Sequence, residues 1–116
     1  MNIQIYAQKR NFDVQKAERF FKERGVKYQF VDLGKKPMAE RELKNIAAAV
    51  GLDALIDKES KLYAGSVLRF TAGDDNRIAQ LLGDMRLLRT PIVRNGRKAS
   101  VGYCPDVWQS WIDAGD

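Results

Sequence analysis

Residues 3–33 read IQIYAQKRNFDVQKAERFFKERGVKYQFVDL, and the hydrophobic period changes twice within them. From Asn2 to Tyr6 polar and apolar side chains alternate, with isoleucine at 3 and 5. That period of two belongs to a strand. Ala7 to Phe12 is short and mostly polar, a loop. From Asp13 the period lengthens: Val14, Ala17, Phe20 and Phe21 share one face, and Lys, Glu and Arg fill the other. This is an amphipathic helix of about 11 residues. Gly25 follows Arg24 as the stop signal at C′. Val26 to Leu33 is β-branched, aromatic and alternating, a second strand. Strand, helix and strand in this order make a parallel pair with a right-handed crossover.

Working outward, Lys35-Lys36-Pro37 interrupts the pattern, and Pro37 suits the first turn of a helix. The inner face of that helix is Leu43, Ile46, Ala47 and Val50, and Gly51 ends it. Residues 52–73 show no period, yet they hold Leu55, Ile56, Leu62, Tyr63, Val67, Leu68 and Phe70, which predicts buried helical turns. Asp74 or Asp75 caps a further helix, with Ile78, Leu81, Leu82 and Met85 inward. Thr90-Pro91-Ile92-Val93 enters a third strand. Arg94-Asn95-Gly96-Arg97 predicts a type I′ hairpin turn, with Lys98 to Val101 returning. Pro105 opens a last helix with Val107, Trp108, Trp111 and Ile112 as its apolar face. The sum is an α/β, thioredoxin-like (glutaredoxin-like) fold: a mixed four-stranded sheet flanked by helices, with a helical insertion in the middle. Residues 1–116 are read as a single domain.

Composition narrows the function classes. The chain is 45% hydrophobic and 30% charged, as in soluble globular proteins. No apolar run reaches the roughly 18–20 residues of a membrane span. No signal-peptide pattern opens the chain. Cys104 is the one cysteine, so an internal disulfide is excluded and a cytoplasmic location is expected. The net charge is +5, but the basic residues alternate with acids, as in KAERFFKERG. That pattern predicts a solvated surface, and nucleic acid is not an expected partner. With no histidine and scattered acids, no metal set is expected. No phosphate loop or dinucleotide fingerprint occurs.

Three segments carry a family resemblance: residues 3–33 above, DKESKLY at 57–63, and LLRTPIVRNGRKASVGY at 87–103. On these the chain resembles the arsenate reductase (ArsC) family, which also contains Spx-type regulators. It is most similar to a bacterial branch reading Lys-Cys-Phe-Asp in the loop before the first helix. The resemblance implies a cysteine thiolate at a helix N-terminus that attacks arsenate, arginines that hold the oxyanion, and glutathione with glutaredoxin to complete the reduction. This chain departs from that pattern residue by residue. The cysteine position falls at Asn11. The three arginine positions fall near Glu59, at Thr90 and at Tyr103, although Arg89 and Arg10 stand beside such places. The Cys-x-x-Cys switch of Spx-type proteins falls on Asn11 and Val14.

Each candidate has an ordinary reading beside it. Asn11, ahead of a helix, is a good N-cap residue, and the free N–H groups of the helix start also favour anions. With Phe12 beside it, Asn11 is taken as part of a binding site. Lys9, Arg10 and Arg89 are candidates for a cationic pocket, against exposed loop charge. Thr90-Pro91 is expected to be cis from the resemblance, and to shape a groove for an extended peptide or a thiol ligand. Cys104, ahead of the last helix, is an alternative thiol, against an unreactive, partly buried one. Trp108 and Trp111 are read as packing.

Two functions follow. The first is a binding or regulatory protein that has lost reductase activity and needs no cofactor, with an unknown protein partner or a small oxyanion as ligand. Spx-type relatives bind RNA polymerase, which makes a protein partner the reasonable analogy. The alternative is a divergent thiol oxidoreductase using Cys104 and glutathione.

Overall fold

In the computed structural model, which describes residues 1–8 and 11–115, segment 3–33 forms the expected βαβ unit. It comprises β1 (Ile3–Ala7), α1 (Phe12–Glu23) and β2 (Tyr28–Asp32). β1 and β2 are parallel, in register from Ile3–Tyr28 to Ala7–Asp32. β2 is shorter than its sequence pattern, because the Val26 N–H donates to the Phe21 carbonyl at 2.9 Å and so belongs to the helix-ending turn. On the other side of β1 runs antiparallel β3 (Ile92–Asn95), followed by antiparallel β4 (Lys98–Val101). The sheet order is β2-β1-β3-β4.

Side-chain alternation along the strands splits the core into two layers. Ile3, Ile5 and Val93 pack with Ala17, Phe20 and Phe21 of α1 and with Trp108 and Trp111 of the last helix. Tyr6 and Ile92 face the other way, onto Leu43, Ile46, Leu55 and Leu81. That second layer is the insertion: α2 (Glu40–Val50), the one-turn helices α3 (Leu52–Leu55) and α4 (Lys61–Ala64), a 3₁₀ turn at Val67–Phe70, α5 (Asp74–Gly83) and a 3₁₀ turn at Met85–Leu87. The chain closes with α6 (Pro105–Ala114), Pro105 in its first turn as expected.

Five expectations need correction. Pro37 lies outside α2, which starts three residues later, where the Glu42 carboxylate reaches back to accept from the Ala39 N–H at 3.2 Å. Neither Asp74 nor Asp75 caps α5. Gly73 holds the cap position with φ +87°, and both aspartates sit in the first turn, where the helix dipole favours them. The hairpin is not the predicted type I′ turn. Asn95 pairs with Lys98, so the two-residue loop is Gly96-Arg97, and Gly96 has a positive φ while Asn95 does not. Glycine first in such a loop is the type II′ pattern. Asn95 is spent elsewhere: it is buried, and its Oδ1 accepts from the Asn2 N–H at 3.1 Å, which ties the start of β1 to β3. Val67 and Phe70, expected inside, are exposed, while Leu55, Ile56 and Leu68 supply the burial. Val107 is likewise exposed, and α6 rests on its two tryptophans.

Among the described residues, no helix is long and apolar enough to cross a membrane.

Candidate functional site

The carboxyl end of β1 is where three connectors meet. Ile92 pairs with both Tyr6 and Val101. The loop before α1, the Thr90-Pro91 step before β3 and the Gly102–Cys104 step after β4 therefore lie at one end of the sheet. The Thr90-Pro91 peptide is cis, as the resemblance implied. The Gly102 N–H donates to the Pro91 carbonyl at 2.8 Å and locks the last two connectors together.

A pocket of about 340 Å³ opens beside this junction. Asn11, Thr90 and Gln8 supply its amide and hydroxyl groups, and Leu62, Met85 and Leu88 its apolar wall. Asp57 and Arg86 complete it. Arg86 is not a free cation. Its guanidinium grips Asp84 with two bonds, Nε to Oδ1 at 2.9 Å and Nη2 to Oδ2 at 2.8 Å. That grip holds the Asp84 carboxyl below its ordinary range. With Asp57 also present, the described lining offers an anion little net attraction.

Of the residues singled out from the sequence, the structure brings Asn11 and Thr90 together here. Tyr103 lines a different cleft with Lys16 and Arg19 of α1, and the Lys16 Nζ stands 5.3 Å from its ring centre. The Phe12 side chain is 81% exposed. Pro91 is buried. Arg89 is exposed, and its guanidinium lies over Gly102: a Cβ on that glycine would come within 2.9 Å of Nη2. Glu59 is exposed and does not line the pocket. Lys9 and Arg10 lie outside the described residues.

Asn11 does what a capping residue does. Its backbone is extended, with φ −91° and ψ −178°, and its Oδ1 accepts from the Val14 N–H at 2.8 Å. Its carbonyl accepts from the Gln15 N–H at 3.0 Å. Asn11→Ala is expected to cost about 1 kcal/mol in denaturant unfolding, and Asn11→Asp close to nothing, because aspartate keeps the cap and suits the dipole. Equal losses in the two variants would mean that the cap contributes nothing.

Cys104 precedes α6 but makes no cap bond. It is half-buried, its Sγ donates to the Val101 carbonyl at 3.2 Å, and it packs against the α1–α6 layer. The pocket is walled instead by Leu62, Met85 and Leu88 of the opposite layer.

Sequence reasoning missed Gln8, Asp57, Leu62, Met85, Arg86 and Leu88 as pocket residues. They come from three separated segments, and the insertion that supplies most of them has no readable period. The signal available was local: Asp57 and Leu62 fall within the DKESKLY segment that carried part of the resemblance. Among the described residues, no group of three or more potential ligands stands where it could hold a metal.

Comparison with known proteins places this geometry. Residues 6–111 match the model of the ArsC family. A curated relative, the global transcriptional regulator Spx 2 of Oceanobacillus iheyensis, is 27% identical over 109 residues, covering 91% of this chain and 80% of that protein. Among solved structures, an arsenate reductase from Vibrio cholerae superposes with a TM-score of 0.81 at 20% identity, covering 95% of this chain and 97% of the other. An ArsC-family-related protein from Bacteroides fragilis gives 0.81 at 22% identity, with the same coverage. Both establish likeness of fold. With the family model matched over nearly its whole length, this chain belongs to the ArsC family.

Proposed function

We propose that this protein has no thiol chemistry of the kind its family uses, and that it holds an extended segment of a partner protein in the pocket beside Asn11 and Thr90. The observation that carries the reading is Asn11 itself. By the resemblance it stands where the attacking cysteine would stand, and its side chain is committed to the Val14 N–H. An amide cannot form a thiolate, and attack on an oxyanion needs one. The pocket supports a peptide over an oxyanion: its apolar wall of Leu62, Met85 and Leu88 is rimmed by amides and a hydroxyl, and Arg86 is neutralised by Asp84. Apolar walls with a few placed polar groups suit a peptide side chain and its backbone. The Spx relative's description as a transcriptional regulator is consistent with a protein partner.

The alternative, an oxidoreductase using Cys104, fares less well, because that thiol packs into the layer away from the pocket. The test is glutathione- and glutaredoxin-coupled arsenate reduction, read by NADPH consumption, on the parent and Cys104→Ser. We expect both at background. Turnover in the parent that Cys104→Ser abolishes would overturn the proposal in favour of the alternative. Peptide selection against the parent should enrich a sequence that Leu62→Arg no longer binds. Selected peptides that bind Leu62→Arg equally well would move the binding site elsewhere.

A further inference from the structure

A second concavity, of about 490 Å³, lies on the other side of the insertion, between α2 and the β3–β4 hairpin. Arg41 of α2, Arg94 of β3 and Arg97 of the hairpin loop line it, with Asn45, Ala48 and Ala49 along the helix. Three arginines line one cleft, and no Asp or Glu lines it.

The nearby acids are committed elsewhere. Glu40 pairs with Lys44 at 3.5 Å. Glu42 accepts from the Tyr6 hydroxyl at 3.3 Å and from the Ala39 N–H at 3.2 Å. Among the described residues, none of the three arginines pairs with a carboxylate. Contacts within the fold account for only part of the cluster: the Arg94 Nε donates to the Gly96 carbonyl at 3.1 Å, and the same side chain meets the Tyr6 hydroxyl. Arg41 lies in the first turn of α2, the end where the helix dipole disfavours a cation. Arg94 and Arg97 place like charges within three residues of a tight turn. Ala48 and Ala49 are exposed, and their small side chains leave room for a ligand to approach the helix.

We propose that this cleft binds a ligand carrying two or more phosphate groups. Guanidinium forks match phosphate oxygens with paired hydrogen bonds, and Asn45 adds an amide donor. Three cations in so small a volume call for comparably dense negative charge. Adjacent phosphates supply it, whereas the carboxylates of a peptide are spread along several residues. The site is separate from the pocket at Asn11 and does not rest on the function proposed for it.

Calorimetric titration of the full chain with tripolyphosphate tests the proposal. Saturable binding is expected, weakened roughly tenfold or more by the paired substitution Arg94→Gln with Arg97→Gln. Lys22→Gln with Lys27→Gln, which removes the same charge beside the far edge strand β2, should change it by less than about twofold, since exposed charges more than about 10 Å away are screened by salt. All four positions are solvent-accessible, and a thermal melt of each variant verifies folding. Equal weakening by the two pairs would overturn the site in favour of a diffuse positive field. Citrate binding as tightly as tripolyphosphate would overturn the phosphate assignment, and absence of saturation would overturn both. A single-stranded oligonucleotide that competes with tripolyphosphate would identify the phosphates as those of a nucleic-acid backbone. Tripolyphosphate binding that the oligonucleotide leaves untouched would identify a free phosphate compound.

Discussion

Trp108→Ala is expected to cost about 3–5 kcal/mol of folding stability, the upper range for removal of a buried aromatic side chain. Trp108 has no exposed surface. Its ring packs edge-on against Phe20 at 5.3 Å and Tyr103 at 5.7 Å, and tilted against Phe21 at 5.3 Å. Its Nε1 donates to the Ser100 hydroxyl at 2.8 Å, the bond that ties α6 to β4. Truncation leaves a cavity between α1 and α6 and an unpaired hydroxyl in a buried position. Small domains hold roughly 5–15 kcal/mol in total, so the loss is a large fraction of the whole. Trp108→Phe keeps most of the apolar contact and loses the bond to Ser100, so it should fall between parent and alanine. Equilibrium denaturation measures all three. A loss under about 2 kcal/mol for Trp108→Ala would mean that the neighbouring rings collapse into the space and that this layer is not organised around the tryptophan.

The layer that Trp108 organises was legible in the sequence because each of its elements is regular. α1 repeats its apolar positions over three turns, β1 and β2 alternate, and Pro105 announces α6. The insertion was not legible for the opposite reason. α3 and α4 are four residues each, too short for a helical period to emerge. Their buried residues are set by what lies above the sheet, so Leu68 is buried while its neighbour Val67 is not. The hairpin shows a finer failure. Asn-Gly predicted the turn correctly but misplaced its centre by one residue, because tertiary structure claims the Asn95 side chain for the Asn2 N–H. At the candidate site, Asn11 was singled out as a helix cap and as the cysteine position of the resemblance, and Thr90 by the resemblance alone. The Met85–Leu88 wall was missed as part of the pocket because a 3₁₀ turn and an isolated bridge, Ile56 to Leu88, deliver it there. Such single long-range pairings leave no mark on local pattern.

Gly102→Ala is expected to destabilise the protein by about 1–3 kcal/mol, the cost of an L-residue held in a sparsely populated backbone region. Gly102 is buried with φ +80°. Its N–H bond to the Pro91 carbonyl leaves the backbone little freedom to relax. The new Cβ would also stand 2.9 Å from the Arg89 Nη2, closer than such contacts allow, and 3.3 Å from its Cζ, so the Arg89 side chain must shift. The two causes separate in a double-mutant cycle. Arg89→Ala alone should be nearly neutral, because the side chain is exposed and, among the described residues, pairs with no acid. In the Arg89→Ala background Gly102→Ala loses its steric part and keeps its backbone part, so it should cost less but still about 1 kcal/mol or more. Full recovery in that background would mean that the positive φ carries no penalty and the clash is everything. No recovery would mean that the guanidinium swings away freely and the backbone is everything. An intermediate result would show that glycine is required here on two counts: the chain must turn left-handed directly beside the cis proline, and the Arg89 side chain must lie across that turn.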